Sequence, residues 1–244
     1  MMEPFTDGRH ERAPVEEWVF ACWRADARAG AISGHRIVGR RNWYWAAFVR
    51  AGRPLLHVTD FDVKVRADPF IVKGEALWAE HTRDDPMRQW SIGNETYAAA
   101  LGDAEAALGR AYGDPTPIAF DLEWYATGAP VGLRGAQVPP GTCGYEQPGE
   151  VFGEIEVLDD EPVRFHGAPA HRWHRWFDPW DAALAEEIGT PDPHLPPLRL
   201  APAVAHTSLR APFRFPDGEI ADWVLTPDGW RERRRSSEVV DPSS

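Results

Sequence analysis

Short segments in which apolar and polar residues alternate are the feature of this sequence that most limits its fold. The run WYWAAFVR at 43–50 places Trp, Trp, Ala and Val on one face, and IAFDLEWYA at 118–126 separates its acids from its aromatic residues. A period of two is the signature of half-buried strands. Comparable runs occur at 56–66, 73–82, 87–97, 149–158, 162–166, 212–215 and 220–226. The sequence therefore predicts a mainly β protein built of antiparallel strands.

Tryptophan is unusually frequent in these runs. The chain of 244 residues has 12 tryptophans, and each large indole needs both burial and an acceptor for its N–H group. We expect aromatic walls inside a β-barrel, with Trp43, Trp45, Trp78 and Trp90 shaping a pocket for an apolar small molecule. The alternative is that these indoles simply fill a solid core.

Two segments have helical features. Residues 98–112 space alanine and leucine as a helix would, but two glycines weaken it, so a short helix or an ordered loop is expected. Asp178 and Pro179 resemble a helix start and Gly189 a helix stop, which predicts a helix over 178–189.

Composition and turn residues suggest a division of the chain into two domains. The Gly- and Pro-rich stretch around 131–144 is typical of a linker or of a loop over a barrel mouth. The predicted parts are a flexible leader at 1–12, an N-terminal lipocalin-like barrel at 13–130, the linker at 131–144, a shorter C-terminal barrel-like domain at 145–232 and a disordered tail at 233–244.

Charge and composition exclude several classes of partner. The formal net charge of −12 disfavours nucleic acid, because phosphate binding requires clustered cations. The arginines at 231–235 are interpreted as a solvated tail. No apolar run is long enough to span a membrane and the charged start is unlike a signal peptide, so a cytoplasmic location is expected. Cys22 and Cys143 are too few for a disulfide framework, which favours a reducing compartment.

Motifs for common cofactor chemistry are missing from the sequence. His166, His171 and His174 lie close along the chain, but neither an HExxH nor a CxxC motif accompanies them, so no metal site is predicted. The sequence also lacks a GxSxG elbow and a glycine-rich phosphate loop, which disfavours serine hydrolases and nucleotide-dependent enzymes. No cofactor is expected.

Three segments occur in an order that resembles a known family. They are FDLEWYAT at 120–127, YEQPG from Tyr145 onward, and residues 165–176, in which Arg172, His174 and Trp176 follow Gly167. His171 and Trp173 fit the same His-x-Trp pattern in another register. Together they resemble the lipocalin-like AttH family, which includes hydroxyneurosporene synthase (carotenoid 1,2-hydratase) and is related to tocopherol cyclase. The resemblance covers roughly residues 100–180 and implies a pair of calycin-type antiparallel barrels packed together.

His174 and Trp176 are the strongest catalytic candidates. Their spacing of two on a strand directs both side chains to one side. An indole face stabilises a developing carbocation while an imidazole moves a proton. Arg172 and Tyr145, from the same segments, are predicted to bind the ligand. The alternative is that Arg172 and His174 only form hydrogen bonds at a barrel rim.

Asp121 and Glu123 are the second catalytic candidates. They share one face of a strand, and a carboxyl group facing a cavity would have a raised pKa and could protonate an alkene. The competing interpretation places them in solvent, because Phe120, Leu122 and Trp124 form the more obvious core face.

Three functions remain open on the sequence alone. The first is an enzyme of secondary metabolism that cyclises, hydrates or isomerises an apolar, terpenoid or polyketide-like molecule by proton transfer. The second is a non-catalytic lipid- or terpenoid-binding protein. The third is a structural or interaction protein whose barrel is filled by its own tryptophans.

Overall fold

A computed structural model of the chain describes fifteen β-strands. It describes residues 5–10, 13, 15–24, 26–27, 29–50, 53–102, 112–132, 142–177, 203–205, 208–214, 220–226 and 229–235. The strands are β1 (Val15–Arg24), β2 (Ala29–Val38), β3 (Arg41–Arg50), β4 (Leu55–Lys64), β5 (Ile71–Lys73), β6 (Leu77–Asp85), β7 (Gln89–Leu101), β8 (Asp114–Ala126), β9 (Val131–Gly132), β10 (Thr142–Val157), β11 (Val163–Phe177), β12 (Ala203–Ala205), β13 (Ser208–Arg214), β14 (Ile220–Thr226) and β15 (Gly229–Arg235).

The strands form two antiparallel sheets. The larger has eleven strands, of which eight are paired in the order β4-β3-β2-β1-β11-β10-β8-β7, and a further pairing of β4 with β7 closes them into a ring. β6 and β5 extend from β7, and β9 pairs with β10. The second sheet has four strands in the order β12-β13-β14-β15. The prediction of a mainly β, antiparallel fold is confirmed.

No helix occurs in the parts of the chain that the structure describes, and these residues contain no helix able to cross a membrane. The helix predicted over 178–189 lies outside the described residues. The start of the segment 98–112 is strand rather than helix. Its residues pair with β8, and Leu101 pairs with Leu55 of β4. These ladder hydrogen bonds outweigh a helical spacing that two glycines already weaken.

The ring joins segments on both sides of the predicted linker. β10 and β11, from beyond 131–144, pair with β8 and β1. Strands β1 to β11, from both sides of this segment, therefore belong to one sheet. The predicted domain bounds stay a prediction.

Aromatic side chains fill the inside of the ring. Trp18 of β1, Trp90 of β7 and Trp124 of β8 are completely buried, and they share one apolar cluster with Phe20 and Phe165. Burial of side chains of this size contributes roughly 1.5–3 kcal/mol each. Three strands from distant parts of the sequence are thus held by one core.

The outer face of β1, β2 and β3 is buried as well, and this corrects one sequence prediction. Trp43 and Trp45 were expected to face inward, but on β3 the residues of the inner cluster are Tyr44, Ala46 and Phe48. Alternation therefore places both tryptophans outside the ring, where they are still only 2% and 6% exposed. Both faces of this strand are apolar, so its pattern could not identify the inner one.

Glycines permit the indoles to lie flat across the sheet at two positions. A Cβ atom at Gly34 would lie 2.6 Å from the ring of Trp45 on the outer face, and one at Gly149 would lie 2.3 Å from the ring of Trp124 on the inner face. Any other residue would displace the indole. These glycines are therefore packing positions, where an aromatic ring covers a bare backbone.

Candidate functional site

A β-bulge at Gly167 directs the candidate side chains inward. Before it, Phe165 faces the ring interior; after it, Ala168 does. The register between β10 and β11 shifts at this point: Val151 pairs with Ala168, and the next residue, Phe152, pairs with His166. Gly167 is therefore the extra, unpaired residue of the bulge, and its φ is +67°. An extra residue reverses the alternation of a strand. Arg172, His174 and Trp176 consequently point inward with Ala168.

The segment 5–10, which was predicted to be part of a flexible leader, packs against these side chains. Asp7 is 1% exposed, and its backbone carbonyl accepts a hydrogen bond from Trp18 Nε1 at 3.3 Å. The carbonyl of Thr6 lies 2.9 Å from His174 Nδ1. The segment is held because its polar groups satisfy buried partners in the ring.

A buried ion pair joins this segment to β11. Arg172 Nη1 donates to Asp7 Oδ1 at 2.6 Å, and the Tyr145 hydroxyl donates to the same oxygen at 2.5 Å. The guanidinium carbon lies 4.9 Å from the ring centroid of Trp124 and 5.2 Å from that of Tyr145. Burial raises the pKa of Tyr145, so its phenol stays a neutral donor. Arg172 and Tyr145, two of the residues predicted to bind the ligand, thus meet around a carboxylate.

The second buried pair is formed by His174 and Glu16. His174 Nε2 lies 2.8 Å from Glu16 Oε1, and His10 Nδ1 lies 2.6 Å from the same oxygen. The backbone N–H of His10 donates to Glu16 Oε2 at 2.9 Å. His174 and Glu16 are 0% and 1% exposed. One buried carboxylate therefore accepts hydrogen bonds from two imidazoles, of which His174 is buried and His10 is partly exposed.

The hydrogen bonds of His174 require a proton between it and Glu16. The Thr6 carbonyl can only accept, so His174 Nδ1 carries a hydrogen. Nε2 of a neutral imidazole would then present a lone pair to a carboxylate, and two acceptors do not approach to 2.8 Å. The pair therefore holds one shared proton.

Opposing effects act on the acidity of this pair. Burial acts to raise the pKa of Glu16, but the hydrogen bonds from His10 and His174 outweigh it, and the pKa lies below its usual range. Burial lowers the pKa of His174, although Glu16 acts in the opposite direction. The imidazolium is thus stabilised by one partner and destabilised by its surroundings, which favours release of the proton to a substrate.

The same three residues offer donor atoms to a metal ion. His10, Glu16 and His174 have ligand atoms within 4.8 Å of one another, and two imidazoles with a carboxylate suit Zn²⁺. Ligands of one tetrahedral zinc ion would lie about 3.4 Å apart. The observed separations of 2.6 and 2.8 Å fit shared protons better. His171, which the sequence grouped with His174, lies on the other face of β11, where it faces Glu146 at 3.2 Å.

Aromatic rings surround the acid–base pair. The imidazole of His174 is stacked with Trp18, the ring centroids being 4.7 Å apart, and lies 5.1 Å from Trp176. Trp176 stacks on His10 at 3.8 Å. The structure therefore brings together His174 and Trp176, the catalytic candidates on β11, and adds Trp18 and His10 to them. Indole faces at these distances can stabilise positive charge next to the proton donor.

A chain of neutral hydrogen bonds occupies another part of the ring interior. Asn94 Nδ2 donates to the Tyr44 hydroxyl at 2.8 Å, which lies 3.1 Å from Ser33 Oγ. Ser33 Oγ lies 2.9 Å from His81 Nε2, and His81 Nδ1 lies 2.8 Å from His35 Nδ1. The hydroxyl hydrogen of the buried Tyr44 is satisfied only if it is donated to Ser33, and we infer that Ser33 then donates to His81 Nε2 and His81 Nδ1 to His35. Burial lowers the pKa of His81 to about 3.

Asp121 and Glu123 do not join the site. They lie on the outer face of β8, opposite Phe120, Leu122 and Trp124, where Asp121 is exposed. Glu123 accepts hydrogen bonds from Gln89 at 2.8 Å and from Ser91 at 3.0 Å. Strand alternation keeps them away from His174, so the structure gives them no role as a proton donor there.

The four tryptophans predicted to line one pocket are also separated. Trp90 is inside the ring, 5.8 Å from the Arg172 guanidinium carbon. Trp78 packs over Gly93 and is 37% exposed. With Trp43 and Trp45 on the outer face of β3, the predicted four-indole pocket is absent from the described residues. The interior is instead lined by Trp18, Trp90 and Trp124.

A groove opens beside the Asp7 cluster. Its volume is about 900 Å³, and Phe5, Met87 and Gln147 line it together with Tyr125, Ala126 and Pro130. Phe5 packs on Tyr145 at 5.1 Å, and the adjacent Thr6 is the residue bonded to His174. The segment 5–10 therefore contacts both the groove and the acid–base pair.

Sequence reasoning missed Asp7, His10 and Glu16. Glu16 lies at the start of the apolar run VEEWVFACW, and an acid at the edge of such a run usually lies in solvent. Asp7 and His10 belong to a polar segment without periodicity. Their roles depend on contacts with residues more than 135 positions away, such as Tyr145 and His174.

Comparison with known proteins places the chain in a family without assigning an activity. The chain belongs to the family of a domain of unknown function, DUF7064, whose model matches residues 4–177. No curated protein matches. Two solved structures, "Crystal structure of CghA with Sch210972" and "Crystal structure of CghA", are similar to this chain at 12% and 11% identity with TM-scores of 0.36 and 0.35. Each alignment covers 91% of this chain and 57% of the solved chain, so this chain spans less than two thirds of their length.

Proposed function

We propose that the protein is an enzyme that uses its own side chains to transfer a proton to or from an apolar small molecule. The observation that carries this proposal is the His174 imidazole, held between the Thr6 carbonyl at 2.9 Å and the Glu16 carboxylate at 2.8 Å. An imidazole fixed at one nitrogen and sharing a proton at the other is the arrangement of a general acid or base.

The surroundings of the pair favour chemistry with cationic character. Trp18 and Trp176 present aromatic rings to His174, and the low polarity around it strengthens any electrostatic stabilisation. Protonation of an alkene or an epoxide inside such a site begins a cyclisation, hydration or isomerisation. The resemblance to the AttH family supports the same group of reactions on terpenoid or polyketide-like molecules.

Each residue has a defined part in the proposed reaction. His174 transfers the proton through Nδ1 once the Thr6 carbonyl has moved away from it, and Glu16, bonded at Nε2, stabilises the imidazolium that precedes or follows the transfer. Trp18 and Trp176 lie beside the developing charge. His10 is partly exposed and connects Glu16 to solvent. It can therefore return a proton from solvent to the His174–Glu16 pair after each transfer. The groove beside Phe5 receives the substrate.

The test combines a metabolite screen with isotope labelling. The purified chain is incubated in D₂O with terpenoid and polyketide extracts, and mass spectrometry identifies compounds that are retained or converted. We expect a product carrying one solvent deuteron. Glu16→Gln and His174→Asn should reduce conversion by about 10²-fold or more, with folding checked by circular dichroism.

A matched control distinguishes chemistry from general damage. His171→Asn alters a second His–Glu pair of β11, on the other face of the strand, and should leave conversion unchanged. Retention without conversion would instead favour the carrier function. Conversion that survives both Glu16→Gln and His174→Asn would contradict the proposal.

A further inference from the structure

The Arg172 guanidinium lies in an aromatic box and has several partners besides Asp7. Arg172 is 1% exposed, and Trp90, Trp124 and Tyr145 surround its charge at 5.8, 4.9 and 5.2 Å. Gln147 Oε1 accepts hydrogen bonds from Arg172 Nε at 3.0 Å and Nη2 at 2.6 Å. These contacts fix the orientation of the guanidinium and leave Nη1 to face a ligand.

Gln147 is itself fixed by the backbone of the ring. Its amide Nε2 donates to the carbonyl of Met87 at 3.1 Å and to that of Gly128 at 2.9 Å. Gln147 and Met87 also line the groove. Gln147 therefore fixes the Arg172 guanidinium in position at the edge of the groove.

Three donors from three parts of the ring converge on one carboxylate. Arg172 Nη1 and the Tyr145 hydroxyl bind Asp7 Oδ1, and the Met87 backbone N–H donates to Asp7 Oδ2. All three belong to β10, to β11 or to the turn before β7, whereas Asp7 belongs to an irregular segment that is not one of the strands of the ring. Together they form a receptor that suits any carboxylate of this geometry.

We propose that these donors form the binding site for the carboxylate of an apolar ligand, and that Asp7 occupies this site when the ligand is absent. The inference rests on the proposed function in that it names the substrate class for the same pocket. A buried cation requires a counter-charge, which Asp7 supplies among the described residues. A ligand carboxylate at Arg172 would extend its apolar part along the groove beside Phe5 and Met87.

Displacement of Asp7 would connect ligand binding to the acid–base pair. Thr6, the neighbouring residue, holds His174 Nδ1, and His10 of the same segment holds Glu16. A ligand that moves Asp7 away therefore also opens the path from the groove to His174. Carboxylate recognition and proton transfer would then act on one molecule.

Isothermal titration calorimetry of the full chain with dodecanoate tests the site. Removal of the competing carboxylate in Asp7→Ala should tighten dodecanoate binding about tenfold or more, because an occupied site reduces apparent affinity. The affinity for dodecanol, which has the same alkyl chain without the charge, should rise less than about threefold in Asp7→Ala. Arg172→Gln in the Asp7→Ala background should remove the preference for dodecanoate. Asp26→Ala, which breaks the exposed Arg24–Asp26 pair, is the matched control and should bind like the unaltered chain.

Thermal unfolding provides a measurement that does not depend on the alkyl chain of the ligand. Acetate should raise the unfolding temperature of Asp7→Ala more than chloride at equal ionic strength, and the unaltered chain should show no such difference. If Asp7→Ala is unfolded in chloride, refolding in acetate supports the proposal. Failure to refold in either salt overturns it, as does a folded Asp7→Ala that prefers neither dodecanoate nor acetate.

Binding and turnover can fail separately. If dodecanoate binds tightly but Glu16→Gln does not change conversion, the carboxylate site is supported and the proton-transfer function is refuted. If Glu16→Gln abolishes conversion but Asp7→Ala shows no preference for carboxylates, the proton-transfer function is supported and the carboxylate site is refuted.

Discussion

Two histidine clusters inside the same ring differ in whether a carboxylate lies beside the buried imidazole. His174 and His35 are both completely buried, and both stack on Trp18, at 4.7 and 5.0 Å. His174 faces Glu16 and shares a proton with it. His35 faces the neutral His81, and burial lowers the pKa of both. Burial lowers the pKa of all three imidazoles, but only His174 has an adjacent carboxylate that opposes this effect and stabilises the imidazolium.

The largest expected effect of this difference is acid destabilisation through the neutral cluster. The pKa of His81 is about 3 in the folded protein and about 6.5 in the unfolded chain. The unfolded state therefore binds more protons, and stability present above pH 6.5 is lost as the pH falls. The loss from this residue approaches about 1.4 kcal/mol per pH unit below pH 6.5, or roughly 3 kcal/mol between pH 6.5 and 4.0. Urea unfolding at several pH values across this range measures the loss of stability.

The contribution of His81 is isolated by substitution. His81→Asn should make the fall in stability with pH less steep by about 1.4 kcal/mol per unit. His166→Asn, which changes an exposed histidine of β11, should leave the slope unchanged. Equal slopes for His81→Asn and the unaltered chain would show that the cluster is not neutral when folded.

A smaller effect is expected when the carboxylate is removed from the charged cluster. Glu16→Gln should reduce the free energy of unfolding by about 2 kcal/mol at pH 7, because an amide cannot stabilise the imidazolium. The pKa of His174 should fall, and the nitrogen chemical shifts of its ring should become those of a neutral imidazole with hydrogen on Nδ1. Long-range proton–nitrogen NMR correlation reports both.

The outer surface offers the matching control for this substitution. Glu146→Gln, at the partly exposed His171–Glu146 pair, should change stability by less than about 1 kcal/mol. If His174 kept the same nitrogen shifts in Glu16→Gln as in the unaltered chain, the shared proton would be ruled out.

The smallest effect concerns the direction of the neutral hydrogen-bond chain. Tyr44→Phe removes the donor to Ser33 and the acceptor for Asn94, and it should cost about 1–2 kcal/mol. The ring of His81 should carry hydrogen on Nδ1 and that of His35 on Nε2 in the unaltered chain. Nitrogen shifts with the opposite assignment would contradict the inferred direction.

Strand alternation predicted the fold better than it predicted the site. Most strands fall where periodicity placed them, because a half-buried strand must repeat every two residues. Periodicity failed for Trp43 and Trp45, since β3 is buried on both faces and neither face is polar. It also could not anticipate the bulge at Gly167, which reverses the alternation before Arg172 and His174.

The family resemblance selected Arg172, His174 and Trp176, which the structure does place together on the inner face. It did not predict their partners. Glu16 is 158 residues from His174, and Asp7 is 165 residues from Arg172. Asp121 and Glu123 were the second catalytic candidates in the sequence, but the side of β8 on which they lie faces away from the ring, as the competing interpretation had placed them.

The amino-acid sequence by itself determined that this chain forms antiparallel strands with many buried indoles, because period and composition are local properties. Ring closure by β4 and β7, the inner face of each strand and the pairing of Asp7 with Arg172 and of Glu16 with His174 were decided only by tertiary structure. Those features depend on which distant groups meet in a region without water, where an unpaired charge is too costly to persist.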